Sequence, residues 1–152
     1  MNDFELVGEL YKHFGYIPEN NELFNPHMIE DDEANFRIKF LQEELNELRK
    51  GYEDQDICQI ADALVDLVVV ALGTAQLHSL PWNELFIEVQ RANMSKQRGM
   101  KSTRGWSSDL VKPDGWIAPR IFDVIQKTRH ERLIKRLEIK QAIEDYNEEN
   151  RS

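Results

Sequence analysis

The chain has 152 residues, 41% of them hydrophobic and 31% charged, which suits one globular domain with one sizeable core. Its formal net charge of −9 makes it a poor fit for sequence-independent binding of DNA or RNA, which rests on neutralising phosphates with Lys and Arg. A phosphorylated small molecule remains within reach, through a few local cations or through metal ions.

In chain order, Asp3 can cap a first helix that carries Phe4, Val7, Leu10, Tyr11 and Phe14 on one face and ends near Gly15. A loop with Pro18, Asn20, Asn21, Asn25 and Pro26 follows. The acidic run from Glu30 to Glu33 suits the positive end of a second helix. That helix is expected to turn Phe36, Phe40, Leu41, Leu45 and Leu48 inward and to end with Arg49 and Lys50 before Gly51. A third helix, from about Asp56 to about Ser79, is the most apolar in the chain. Pro81 opens a fourth helix through Leu85, Phe86, Val89 and Ala92. Gly99, Gly105, Pro113, Gly115 and Pro119 make residues 98–119 a long loop, a length that is usually functional or disordered. A charged last helix covers roughly 120–146, and the tail beyond it is expected to fray.

The pattern predicts an all-α bundle of four to five helices, one domain over 1–152 with its core at about 30–120. The one cysteine, Cys58, rules out an internal disulfide and fits a reducing compartment. The opening residues, MNDFELVGEL, carry acids where a signal peptide needs positive charge. The uncharged stretch Leu67–Leu77 is too short to span a bilayer. The expectation is a soluble cytoplasmic protein without a membrane or nucleic-acid partner.

Two acidic segments stand out. Glu43, Glu44 and Glu47 lie within a narrow sector of the second helix at i, i+3 and i, i+4 spacing. Alone they read equally well as a solvated acidic face, with a few tenths of a kcal/mol of repulsion per pair. On the third helix, Asp62 and Asp66 are four apart, and Asp66 is set among Val65, Leu67, Val68, Val69 and Val70. A carboxylate in so apolar a helix is expected to be partly buried, which is costly unless it is paired or binds a metal. From Gly51 to Gln90 there is no Lys or Arg, so an ion pair would need Arg37, Lys39, Arg91 or Lys96. The other solution is a hard divalent cation, Mg²⁺ or Mn²⁺, which takes oxygen ligands only. His13, His27, His78 and His130 are scattered outside both clusters.

These residues resemble a family. Glu43-Glu44-x-x-Glu47 followed by an acidic helix around Asp66 is similar to the all-α nucleoside triphosphate pyrophosphohydrolases, the superfamily of MazG, dimeric dUTPase and phosphoribosyl-ATP pyrophosphohydrolase. Ala61 to Asp66, Gly73-Thr74-Ala75, Asn93 to Lys96 and Lys112 to Trp116 resemble the short, often phage-encoded MazG-like members, over roughly residues 30–120. The usual second motif, E-x-x-D, would put Glu at position 63, where this chain has Ala63 with Asp62 one residue earlier.

The resemblance implies hydrolysis of a nucleoside triphosphate to monophosphate and pyrophosphate by water attack at the α-phosphorus, with one or more Mg²⁺ or Mn²⁺ ions meeting the charge on the phosphates. It implies Glu44, Glu47 and Asp66 as first ligands, and Glu43 and Asp62 as further ligands or groups that orient water. Glu43 or Glu47 would act as the catalytic base. Asn93 and Lys96 share a helix face, and the loop beyond adds Arg98, Lys101, Arg104 and Lys112, a local basic patch suited to polyphosphate. Trp106 and Trp116 sit in the same loop, either to stack on a base, to close a lid, or to pack in the core. The resemblance also implies a homodimer or homotetramer, which the exposed demands of so apolar a third helix support, and a pool role for dGTP or GTP, in host cytoplasm for a phage-encoded chain. Two other readings stand beside this one: a non-catalytic helical module with a metal-binding acidic face, and an enzyme that releases orthophosphate stepwise.

Overall fold

The described residues form five α-helices and one very short strand pair, the all-α architecture that the hydrophobic spacing predicts. The computed structural model describes residues 1–99, 106 and 109–150. They divide into two compact units, Met1–Leu80 with Arg132–Ser152, and Pro81–Glu131.

In the first unit, α1 spans Asp3–His13. Its cap is Asn2 rather than Asp3. The Asn2 side chain accepts from the Glu5 N–H at 3.0 Å, and the Glu5 carboxylate accepts from the Asn2 N–H at 2.8 Å. Asp3 then adds charge to the first turn, where the helix dipole favours it. A 3-10 turn at Asn21–Leu23 follows.

Helix α2 spans Asp31–Asp54 and α3 spans Ile57–Leu77. Gly51 does not end α2, as its position after Arg49 and Lys50 predicts. It lies inside the helix, where an added Cβ would stand 2.9 Å from Ile60 Cγ1 and 3.0 Å from Ile60 N. Glycine here lets α3 come close. The stop is Gln55 at φ 54, followed by Asp56, whose carboxylate accepts from the N–H groups of Cys58 and Gln59 at 2.9 and 3.2 Å.

The inward face of α2 also differs from expectation. Its buried residues are Arg37, Glu44 and Gly51, seven apart, with Phe40, Leu41 and Leu48 half-buried beside them. Phe36 is 59% and Leu45 43% exposed. The apolar residues of α2 spread over too wide an arc to share one face. The line that meets α3 is the one on which Gly51 permits contact and Arg37 finds acceptors.

The core of this unit joins Val7 and Tyr11 of α1 to Ala63, Val70, Leu72 and Ala75 of α3. An added Cβ at Gly73 would stand 1.9 Å from the Tyr11 hydroxyl. The Gln76 amide donates to the Phe4 carbonyl at 2.9 Å, and Asn21 donates to the Gln76 carbonyl at 2.8 Å. Ser79 donates to the Asn21 side chain at 3.0 Å. Arg132 donates to the carbonyls of Phe24 and Ser79, and Arg136 to that of Leu23.

Among the described residues, one side of α3 is left exposed. Val65 is 61% exposed, and Leu64 and Val68 are exposed beside it. With Leu6 they line an apolar groove of about 420 Å³ between α1 and α3. By length and composition alone, Ile57–Leu77 could cross a membrane, with a mean hydropathy of 1.9 in its best window, of which 22% is buried.

The second unit contains α4, Trp82–Met94, and the strands β1, Gln97–Arg98, and β2, Leu110–Val111. The strands pair antiparallel, Gln97 with Val111 and Arg98 with Leu110. Residues 98–119 read as loop because two-residue strands leave no alternation to see. Glu88 accepts from Arg91 at 2.8 and 2.9 Å and from the Arg120 N–H at 2.9 Å, and these bonds hold its carboxyl at about 2. Helix α5, Ile121–Glu149, begins in this unit and runs past the expected end at 146, with exposed pairs Lys127–Glu131 and Lys140–Glu144 at 3.7 Å.

Gly73→Ala forces Tyr11 from its seat, so it is expected to cost about 1–3 kcal/mol and lower Tm by several degrees. Thermal unfolding by circular dichroism reads this directly, and an unchanged Tm would mean that the α1–α3 contact is looser than described.

Candidate active site

The helix pair α2 and α3 is pinned at both ends. Near the turn, Gly51 lies against Ile60. At the far end, Arg37 donates to the Val70 carbonyl at 2.8 Å and to the Thr74 hydroxyl at 3.0 Å, and Thr74 donates to the same carbonyl at 2.7 Å. This antiparallel register sets Glu44 of α2 between the pins, beside Asp66 of α3.

Glu44 is 7% exposed, and its Oε2 is buried with no hydrogen-bond partner. Burial pushes its carboxyl above the ordinary value, and the charges of Glu47, Asp66, Glu43 and Asp62 push it further the same way. The structure therefore groups all five acids that the sequence singles out. Asp66 is half-buried, as its apolar neighbours predict, while Glu43, Glu47 and Asp62 are exposed around the buried carboxylate.

No cation neutralises this group among the described residues. Arg37 is committed to backbone and hydroxyl oxygens and lies 5.7 Å from the Tyr11 ring centre and 5.4 Å from that of Phe40. Arg91 pairs with Glu88, and Lys96 donates to Asn93 at 2.9 Å. Among the described residues, a structural ion-pair network therefore does not form at the five acids.

The donor set is oxygen only, and Glu44 offers a buried oxygen without a proton donor, which suits a hard divalent cation. As placed, no three of the described acids stand close enough to ligate one ion. Mutual repulsion keeps uncompensated carboxylates apart, and the exposed Glu43 and Glu47 have free rotors with which to turn inward. Ala63 is 1% exposed on the α3 face that also carries Val70 and Asp66. Where the usual motif would bury a Glu, this chain buries a methyl group and carries Asp62 on the exposed side.

The second unit gathers four other expected residues. The Trp116 indole N–H donates to the Ala92 carbonyl at 2.8 Å. Lys112 and Lys96 place their ammonium groups 4.6 and 5.7 Å from its ring centre, and Asn93 accepts from Lys96. The ring is anchored as a platform for two lysines. Trp106 is exposed, and Arg104 and Lys101 lie outside the described residues.

Sequence reasoning offered Arg37 as one possible ion-pair partner of the acids and Tyr11 as part of the apolar face of the first helix; it did not foresee that Arg37 fastens α2 to α3 or that Tyr11 seats on Gly73. The available signal was spacing: Arg37 is seven residues before Glu44, so both lie on one helix stripe.

A carboxyl held above its ordinary value of 4.5 costs stability once ionised: the penalty is absent below that value and appears as pH rises through the raised one. Without divalent cations, Glu44→Gln is expected to raise stability at pH 8 by about 1–2 kcal/mol, a Tm gain of about 3–6 °C, and the gain should vanish near pH 4. Thermal scans in chelator across that range test the sign.

The family model for phosphoribosyl-ATP pyrophosphohydrolase matches residues 7–93. No curated protein matches the chain. The match begins within α1, earlier than the segment from about 30 that carries the resemblance in sequence, and it stops before the loop with Lys112 and Trp116. It covers more than half of the 152 residues and takes in all five acids of the site. The chain belongs to the phosphoribosyl-ATP pyrophosphohydrolase family, within the MazG-related superfamily, and the family implies nucleotide pyrophosphohydrolase activity.

Proposed function

We propose that this chain hydrolyses nucleoside triphosphates, with dGTP or GTP preferred, to monophosphate and pyrophosphate with Mg²⁺ or Mn²⁺. The observation that carries the reading is Glu44, buried with an orphaned oxygen amid four other carboxylates, in a member of a pyrophosphohydrolase family. Such a group of acids is repulsive without cations and becomes favourable with them.

Glu44, Glu47 and Asp66 would hold the metal, with Glu43 and Asp62 as outer ligands, and more than one ion has donors enough. When bound, the metal supplies positive charge to the phosphate oxygens and polarises the α-phosphorus. Glu43 and Glu47 are solvent-accessible, so either can accept the proton of an attacking water. Glu44, buried among four other carboxylates, would act as the anchor of the metal. In their own unit, Lys96 and Lys112 over Trp116, with Asn93, form a cation pair suited to polyphosphate oxygens.

A panel of nucleotides with Mg²⁺ or Mn²⁺, followed by phosphorus NMR, tests the reaction. Pyrophosphate is the expected product; orthophosphate would indicate stepwise cleavage, and no turnover on any nucleotide would leave the non-catalytic metal-binding module. Glu47→Ala and Asp66→Ala are each expected to lower kcat by at least about 100-fold with helical circular dichroism retained. Full activity in both would refute the metal site.

The exposed side of α3 supports assembly as a homodimer or homotetramer, since an apolar patch of this kind asks for cover. Asp62 and Asp66 within the same helix argue against a membrane as that cover, and the cytoplasm is the compartment that the lone Cys58 fits. Val65→Asp is expected to shift the protein to monomer in light scattering after gel filtration; an unchanged mass would place the contact elsewhere.

A further inference from the structure

Among the described residues, the far half of α5, which belongs to the first unit, has little packed over it. From Leu137 to Glu149 every residue is exposed. Helices shorter than ~12–15 residues are marginal in water unless an apolar face packs on something. The sequence predicts fraying after 146, yet the helix continues to Glu149.

This half of α5 carries a regular seam. Arg132, Arg136, Ile139, Ile143 and Tyr146 recur at alternating steps of four and three, the spacing at which two helices coil together. The two arginines fasten the seam to the body. Arg132 donates to the carbonyls of Phe24 and Ser79, and Arg136 to that of Leu23. Beyond them the seam turns apolar and stays open. Ile139 and Ile143, 39% and 56% exposed, line a groove of about 720 Å³ together with Leu23 and Phe24 of the loop before α2.

Charge indicates what lies in the groove. Arg132–Lys140 holds four cations and one acid, whereas Gln141–Glu149 holds four acids and no cation. Carboxylates at the C-terminal end of a helix meet the negative end of its dipole, and the last turn of α5 has no base. The split therefore works against the helix that carries it. The same split is self-complementary. A two-fold axis near Gln141 lays the basic half of one α5 along the acidic half of another, twice over. Parallel pairing would set like charges together at both ends.

We propose that the groove takes α5 of a second copy of this chain, paired antiparallel. In this pairing Ile139 meets Ile143 of the partner subunit, and Leu23 and Phe24 close over the partner's helix. The contact is separate from the α3 patch, since the two apolar grooves share no residue. It also lies outside the family match, which ends at residue 93. With a contact through α3 it closes a tetramer that has two kinds of two-fold interface; without one it makes a dimer. Neither outcome depends on the reaction proposed for the acids.

The test is the mass of the full chain by analytical ultracentrifugation. The unmodified chain is expected as a dimer or tetramer, and Ile143→Asp at half that mass. Combining Ile143→Asp with Val65→Asp should give monomer whether or not α3 also forms a contact. The pairing itself is read by charge exchange. Lys135→Glu with Lys140→Glu makes α5 acidic throughout, and Glu144→Lys with Glu148→Lys and Glu149→Lys makes it basic throughout. Each variant alone should halve the mass, and an equimolar mixture of the two should recover it. All these positions are exposed, and circular dichroism checks that the helices are retained. An unmodified chain that is monomeric would leave the groove to a different protein and overturn the proposal. An Ile143→Asp variant at full mass overturns it too. Charge variants that keep full mass alone, or that do not recover it when mixed, refute the antiparallel pairing.

Discussion

The site depends on how closely two helices approach. Gly51 lets α3 come within contact of α2 beside the turn, and Arg37 fastens the other end to the Val70 carbonyl. Between those pins a glutamate is buried whether or not its charge is comfortable there. An isolated buried carboxylate is costly, and two acidic helices pressed together are worse. The packing of α1 on α3, through Gly73 under Tyr11 and through Gln76, Asn21 and Ser79, supplies apolar burial and satisfied hydrogen bonds that hold the strained pair in register.

Arg37 and Glu44 therefore divide the work. They have opposite charges on one helix stripe, yet they do not pair. The cation takes a carbonyl, a hydroxyl and two ring faces, and that set of partners leaves the acids without a neutralising neighbour among the described residues. Had Arg37 reached Glu44 or Asp66, the cluster would be a structural ion pair with little call for metal. The placement of one arginine separates a stabilising network from a site with unmet demand for positive charge.

The same logic explains the uneven surface of α3. The side facing α2 carries Ala63, Asp66 and Val70, small or acidic residues that permit approach. The opposite side carries Leu64, Val65 and Val68, apolar and exposed. A helix that is apolar nearly all round is expected to be covered nearly all round. Among the described residues it is covered on one side only.

Much of this was legible in the sequence. Helical spacing located the five helices of the described residues, with the third beginning near Asp56 and the fourth near Pro81, because periodicity and breakers are local properties. The five acids were legible as a group because their spacing placed each set on one helix face, and the valines around Asp66 made its burial predictable. What the sequence did not determine was which arc of α2 turns inward: Phe36 and Leu45 are apolar yet exposed, while Arg37 and Glu44 are charged yet buried. Gly51 looked like a helix stop and is a contact point, and Asp3 looked like a cap that Asn2 supplies. Those outcomes depend on Ile60, Val70 and Thr74 arriving from another segment. Burial of a charge is decided by its partners, and partners distant in the chain are visible only once tertiary structure brings them together.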